Sequence, residues 1–213
     1  MGQYNCAHTE ETRLKDIKLQ GLVAALVTVA IAGCNPPPSS TPAVSAPEPG
    51  AGDLPTEEVI LQTVYAEVES LDLCDGFLQP EVAQANSQVW IMGDRALVEI
   101  NCALVAYQMV YAYAVYHPDG SVQPLSLDVF DPDATGAFGR SREATVGGLA
   151  DFDPDQGQLT IFSKARGLGD CGSLADYRWS GAELELDTFR YQACSDTAEA
   201  DLIDPADYPQ IYP

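Results

Sequence analysis

The sharpest chemistry-bearing string in this 213-residue chain is Arg166-Gly167-Leu168-Gly169-Asp170-Cys171-Gly172. Its three glycines let backbone N–H groups turn inward as a nest for an anion, with Arg166 beside it. The same glycines also permit a tight turn in which Arg166 and Asp170 neutralise each other. Phosphate-loop spacing and its Lys-Ser/Thr ending are absent, so the structural reading has the better claim. The loop remains the best binding-site candidate in the sequence.

Carboxylates supply the other constellations. Asp151-Phe-Asp153-Pro-Asp155-Gln-Gly157 begins like an EF-hand loop, but its glycine falls one place late and no glutamate follows at the twelfth position. Asp131-Pro-Asp133-Ala-Thr135-Gly136 has its glycine in register, yet Arg142 stands at position twelve. Proline in both runs points to turns between strands. Asp151, Asp153 and Asp155 are left as weak calcium candidates, and Asp153 with Asp170 as a conceivable glycan-cleaving pair. The two histidines are His8 and His117. His117 sits in a His-Pro-Asp-Gly turn, where a single imidazole cannot build a His-rich zinc site. With no G-x-S-x-G or S-x-x-K string, no catalytic residue, resident metal or cofactor is assigned.

The elements that position these residues are mostly strands. Thr56 is a candidate N-cap ahead of Glu57 and Glu58, and apolar residues from Ile60 to Leu71 recur at helical spacing, which predicts one helix over 57–70. The period then falls to two. Gln88–Met92 and Arg95–Cys102 form a hairpin around Gly93-Asp94. Ala106–Tyr116 is apolar on both faces and reads as a central strand covered on both sides. Val122–Phe130 reads as one strand, with Pro124 at an edge or bulge. Residues 131–150 read as an irregular excursion. Leu159–Phe162, Tyr177–Trp179 and Glu183–Tyr191 complete six or seven strands. The expected fold is mainly β with one N-terminal helix (α+β), an antiparallel curled sheet or half-barrel. The acidic segment after Ser195 ends in Tyr208, Ile211 and Tyr212, which either dock on the domain or stay loose.

The address comes from Ile31-Ala32-Gly33-Cys34, which closes an apolar run from Gly21 and precedes a Pro-rich stretch. This string resembles the lipobox of bacterial lipoproteins. The resemblance implies removal of residues 1–33, a lipid on Cys34 and a tether over 34–55. A single disulfide-bonded globular domain over 56–213 follows, held to the bacterial envelope membrane and facing the periplasm or cell exterior. The run, about a dozen residues, is shorter than the roughly 20 that span a bilayer as a helix. Residues 1–18 carry no net charge where a signal peptide is normally basic; a later translation start would explain that.

Formal charge is −22. The segment to Gly33 holds three basic and three acidic residues, which leaves 7 against 29, with Lys164 as the one remaining lysine. Such a surface repels phosphate backbones and anionic headgroups, so nucleic acid is excluded as a partner and lipid, not charge, must hold the membrane. With Cys6 cut away and Cys34 lipidated, Cys74, Cys102, Cys171 and Cys194 remain. An even number in an exported domain implies two disulfides. Of the three pairings, chain proximity favours Cys74–Cys102 and Cys171–Cys194.

Several strings together resemble a family of exported bacterial proteins, domain-of-unknown-function family eleven seventy-six. They are Cys102 with Ala106-Tyr107-Gln108, Asp153-Pro154, the Arg166–Gly172 string, Trp179-Ser180-Gly181 and Cys194. The likeness runs from about Cys74 to Cys194 and implies an exported domain with paired cysteines. It brings no reaction with it. The expected function is therefore a non-catalytic envelope lipoprotein that binds an unidentified envelope partner or helps maintain the envelope. The alternatives are a carboxylate-based glycan hydrolase and a calcium-responsive module.

Overall fold

The structure is a computed structural model that describes residues 54–195 and 203–213. The expected signal segment, Cys34 and the tether up to residue 53 lie outside the described residues. In chain order the elements are α1 (Glu57–Glu67), α2 (Pro80–Asn86), β1 (Gln88–Met92), β2 (Arg95–Val105), β3 (Gln108–Tyr116), β4 (Val122–Leu125), β5 (Leu127–Pro132) and β6 (Phe138–Glu143). They continue with β7 (Thr145–Asp153), β8 (Gln158–Lys164), β9 (Gly172–Trp179), β10 (Leu184–Gln192) and β11 (Gln210–Tyr212). Short 3-10 turns occupy Leu73–Gly76 and Pro205–Asp207.

The strands form one antiparallel sheet in the order β1-β2-β3-β7-β8-β9-β10-β11, with β4 also on β3 and β5–β6 as a separate hairpin. Its two ends, β1 and β11, do not pair, so it is not closed into a barrel. Helix α1 begins at Thr56, whose extended backbone stops the chain and whose carbonyl accepts from Ile60 N at 3.0 Å; its side chain makes no capping bond. Ile60 and Val64 on α1 are fully buried, worth about 1.5–3 kcal/mol each relative to exposure.

Strands β2 and β3 carry the domain, and the two-sided burial expected of Ala106–Tyr116 holds from Tyr111 to Tyr116, whereas Ala106 and Tyr107 are exposed and precede β3. Alternation sends Leu97, Tyr111, Tyr113 and Val115 into one core with β7–β10. The same alternation sends Ala96, Val98, Ile100, Ala112 and Ala114 into a second core beneath α1. Ala112 and Ala114 of β3 lie on the α1 side together with Tyr116, and Tyr111 and Tyr113 fill the core opposite.

β3 is shared between two partners: Met109–Ala112 pair with β7, and Tyr113–Tyr116 pair with β4. Chain must therefore leave the β3 ladder at β7, and it does so beside Gly147-Gly148. A Cβ on Gly148 would lie 2.7 Å from Ile161 Cγ2 and 2.9 Å from the Phe162 carbonyl oxygen. Only glycine lets β7 and β8 approach this closely.

Four expectations need correction. The described residues contain eleven strands rather than six or seven, and α2 is a second α-helix where one was expected. Val122–Phe130 is two strands, because the chain turns from the β3 ladder at Ser126 to begin the β5–β6 hairpin. Residues 131–150 are not irregular: they hold β6 and the first part of β7. Their signal is weak because β6 carries one large apolar residue, Phe138, and the Gly147-Gly148 corner removes the alternation from β7. The acidic end does dock: Tyr208 is buried and Ile211 and Tyr212 are partly buried. Among the described residues, no helix is long and apolar enough to cross a membrane.

Candidate functional site

The Arg166–Gly172 loop joins β8 to β9 and is braced from every side. Arg166 Nε donates to Asp170 Oδ1 at 2.7 Å, and Nη2 pairs with Oδ2. The Asp170 side chain is 2 % exposed and that of Arg166 35 % exposed, so the guanidinium lies over a carboxylate it covers. Arg166 beside it holds the Asp170 carboxyl below the usual carboxylate range. Arg166 Nη1 also donates to the Ser195 carbonyl at 3.3 Å.

Two of the loop's N–H groups close on the loop itself, Gly169 N to Arg166 O at 3.0 Å and Ala165 N to Cys171 O at 3.1 Å. Gly169 has φ +70°, which the turn requires. Tyr208 Oη reaches the Gly169 carbonyl, Tyr107 Oη reaches the Ala165 carbonyl at 3.2 Å, and the Tyr107 ring lies against Gly167. The Cys171–Cys194 disulfide fixes the far side, while Cys74–Cys102 ties the Leu73–Gly76 turn to β2. Leu168 is the loop's exposed large apolar residue, 72 % exposed.

The carboxylates are spread out rather than gathered. Asp153 accepts from Asp155 N, Gln156 N and Gln156 Nε2, so it shapes the β7–β8 turn; the Gln156 bonds lower its pKa. Asp133 does the same for the β5–β6 turn through Thr135 and Ala137, with its pKa lowered chiefly by Thr135. Asp153 and Asp170 flank opposite ends of the seven-residue β8, about 20 Å along a strand. A glycosidase needs its two carboxyl groups within about 10 Å. His117 Nε2 lies 3.2 Å from Gln123 Oε1 in its turn. Among the described residues, no three His, Cys, Asp or Glu side chains are grouped to hold a metal ion.

Two features were not anticipated from sequence. The first is Glu99, 4 % exposed in the middle of β2. It accepts from Tyr113 Oη at 2.8 Å and from Asn101 Nδ2 at 3.2 Å. Burial raises its pKa, with Asp151 adding a smaller push, against the two hydrogen bonds. An acid at the inward phase of Leu97-Val98-Glu99-Ile100-Asn101 was the available signal.

The second is a cleft of about 270 Å³ between the β5–β6 hairpin and the sheet. Its floor is formed by Val146, Ile161, Ala175, Tyr177 and Phe189, all buried. Thr145, Ser163 and Ser173 add hydroxyls along its wall, and Asp131 and Glu143 are exposed lining residues. Ser163 Oγ is committed to the Gly147 carbonyl, Tyr177 Oη donates to the Asp128 carbonyl at 2.9 Å, and Gln108 Oε1 accepts from Lys164 N at 3.0 Å. The aromatic pair Phe130–Phe189, 5.4 Å between centroids, holds the hairpin down, and Tyr212 of β11, the ladder partner of Phe189, stacks on Phe130 at 5.7 Å. No periodicity marks such a site, because its lining comes from seven strands.

Among known proteins, neither the curated sequences nor the solved structures include a match to this chain. A protein family does match, over residues 16–210, and its description is "Protein of unknown function (DUF1176)". That span contains every element described above except the last two residues of β11. The chain belongs to the DUF1176 family.

Proposed function

We propose that the protein is a lipid-anchored binding module of the bacterial envelope, and that it recognises its ligand in the cleft under the β5–β6 hairpin rather than transforming it. The cleft is the observation that carries this reading. It joins a small buried apolar floor to a wall of hydroxyl, amide and carboxylate groups in one concave site, the kind of place where small molecules bind. Anchoring rests on the Ile31–Cys34 string, with residues 1–33 removed, a tether over 34–55 and a domain over 56–213. The sheet is read as a half-barrel curled around the cleft. Arg95 Nη1 reaches from the start of β2 to the Gly181 carbonyl in the β9–β10 turn at 2.9 Å, and Trp90 on β1 lies 4.8 Å from Phe152 on β7.

A carboxylate hydrolase has less support. Catalysis of that kind needs one carboxyl raised to act as acid, and Asp153 and Asp170 are both lowered. The Arg166–Gly172 loop is then the brace that keeps β8 and β9 in place behind the cleft.

Mass spectrometry of the mature N-terminus tests the anchor: a diacylated Cys34 is expected, and a chain retaining Met1 without lipid would end it. Incubation of the purified protein with peptidoglycan and a glycan panel tests the rest. No fragments should be released; turnover abolished by Asp153→Asn or Asp170→Asn would replace binding with hydrolysis.

A further inference from the structure

The chemistry of the cleft restricts what can enter it. Carboxylates are the charged groups among its lining residues, and no lysine, arginine or histidine lines it. The two guanidiniums of the hairpin are engaged elsewhere. Arg140 forms a bidentate pair with Asp128 and lies 5.3 Å over the Tyr212 ring, and Arg142 Nη2 donates to the Ser126 carbonyl at 3.0 Å. Glu143 accepts from Ser141 Oγ at 2.6 Å and keeps free lone pairs. Around the cleft, the chain's charge of −22 draws cations inward and turns anions away.

We propose that the cleft takes a small cationic amphiphile, tail first: a short alkyl or aryl tail on the Val146–Ile161–Phe189 floor and an ammonium head at the mouth, where Asp131 and Glu143 stand four residues apart along the hairpin and the head pairs with one of them at a time. This rests on the reading of the cleft as the binding site and adds the class of ligand. The burial gradient sets the direction. The buried floor has no free charge to meet an ammonium, so a lysine side chain entering from outside would strand its head there at high desolvation cost. An anionic amphiphile of the same length would place its head against a carboxylate at either end of the mouth. The volume of about 270 Å³ corresponds to roughly nine waters at about 30 Å³ each, enough for a short tail and too little for a full acyl chain.

The test uses the full-length chain carrying Cys34→Ser, so that no lipid competes, titrated with hexylammonium, hexanol and hexanoate while amide resonances are followed. Hexylammonium should perturb Val146, Ile161 and Phe189 and bind about three- to fivefold tighter than hexanol at low salt, as one exposed ion pair allows. Hexanoate should be weakest. In the Asp131→Asn/Glu143→Gln variant hexylammonium should fall to the hexanol level, with hexanol binding unchanged. Hexanol equal to or tighter than hexylammonium would overturn the cationic ligand and leave the cleft as a neutral binding site. Failure of all three probes to perturb the floor would overturn the binding reading itself.

Discussion

Glu99 and Tyr113 stand directly opposite each other in the β2–β3 ladder, and the Tyr113 hydroxyl donates to Glu99 Oε2 at 2.8 Å with both side chains buried. The carboxyl is raised by burial above its ordinary value, so the folded state holds its proton at a pH where the unfolded chain has released it. Stability from this group is therefore full below the unfolded value, about 4.3, and falls as pH rises towards the raised folded value. In Glu99→Gln this fall should vanish, so denaturant curves of wild type and variant should diverge across that window. Glu99→Ala, which leaves the buried Tyr113 Oη without its acceptor and Asn101 Nδ2 with the Asn86 carbonyl alone, should cost about 1–3 kcal/mol at any pH.

Glycines at equivalent-looking strand positions should differ sharply. Gly172 has φ +142°, and a Cβ there would meet the Ser163 carbonyl oxygen at 2.0 Å. Gly172→Ala should cost about 3 kcal/mol or more, from backbone strain and overpacking together. Gly139 on β6 faces open space, and Gly139→Ala should leave the unfolding midpoint within about 0.5 kcal/mol of wild type. Equal effects at the two positions would contradict the close approach of β8 and β9.

The two disulfides close chain separations of 28 and 23 residues, and loop closure assigns each about 3 kcal/mol. Cys74→Ser/Cys102→Ser and Cys171→Ser/Cys194→Ser should thus lose similar stability in urea. Non-reducing peptide mapping should join Cys74 to Cys102 and Cys171 to Cys194; a peptide linking Cys102 to Cys171 would refute the arrangement.

Arg166→Ala removes the partner that covers Asp170. Melting temperature should drop clearly at neutral pH, where the carboxylate is charged, and Arg166→Lys should restore only part of it, since one ammonium cannot make both bonds. Because Arg166 lowers the Asp170 pKa in the fold, the wild-type advantage exists above the unfolded carboxylate value and disappears as pH falls through the lowered one. An unchanged melting temperature in Arg166→Ala would make the residue a surface contact instead of a brace.

Legibility in the sequence followed the strength of local signals. β1, β2 and β3 were readable because their alternation runs unbroken through apolar residues, and the Gly93-Asp94 and Ser180-Gly181 turns were marked by their own chemistry. The Cys74–Cys102 and Cys171–Cys194 pairs found here match chain proximity, since hairpin-linked strands keep near neighbours in sequence near in space. β6 and the β7 corner were lost because Gly139, Gly147 and Gly148 carry no side chain to show a phase. The cleft could not be read at all. Its floor residues look like ordinary core until Phe130 and Phe189 show that the hairpin stands off the sheet. The Arg166–Gly172 string was visible, and its pairing of Arg166 with Asp170 was one of the two arrangements its spacing allowed.

β11 pairs with β10 at only two positions, Phe189 with Tyr212 and Arg190 with Gln210, and β1 at the other end is five residues long. Exposed sheet borders invite strands from other molecules to add on and propagate into fibrils. Here one border is short. The other is occupied in part by the chain's own final strand, and the remainder of β10 exposes Glu185 and Asp187. A neighbour approaching that border would set its own acids against these. Self-association by edge pairing is therefore opposed twice over.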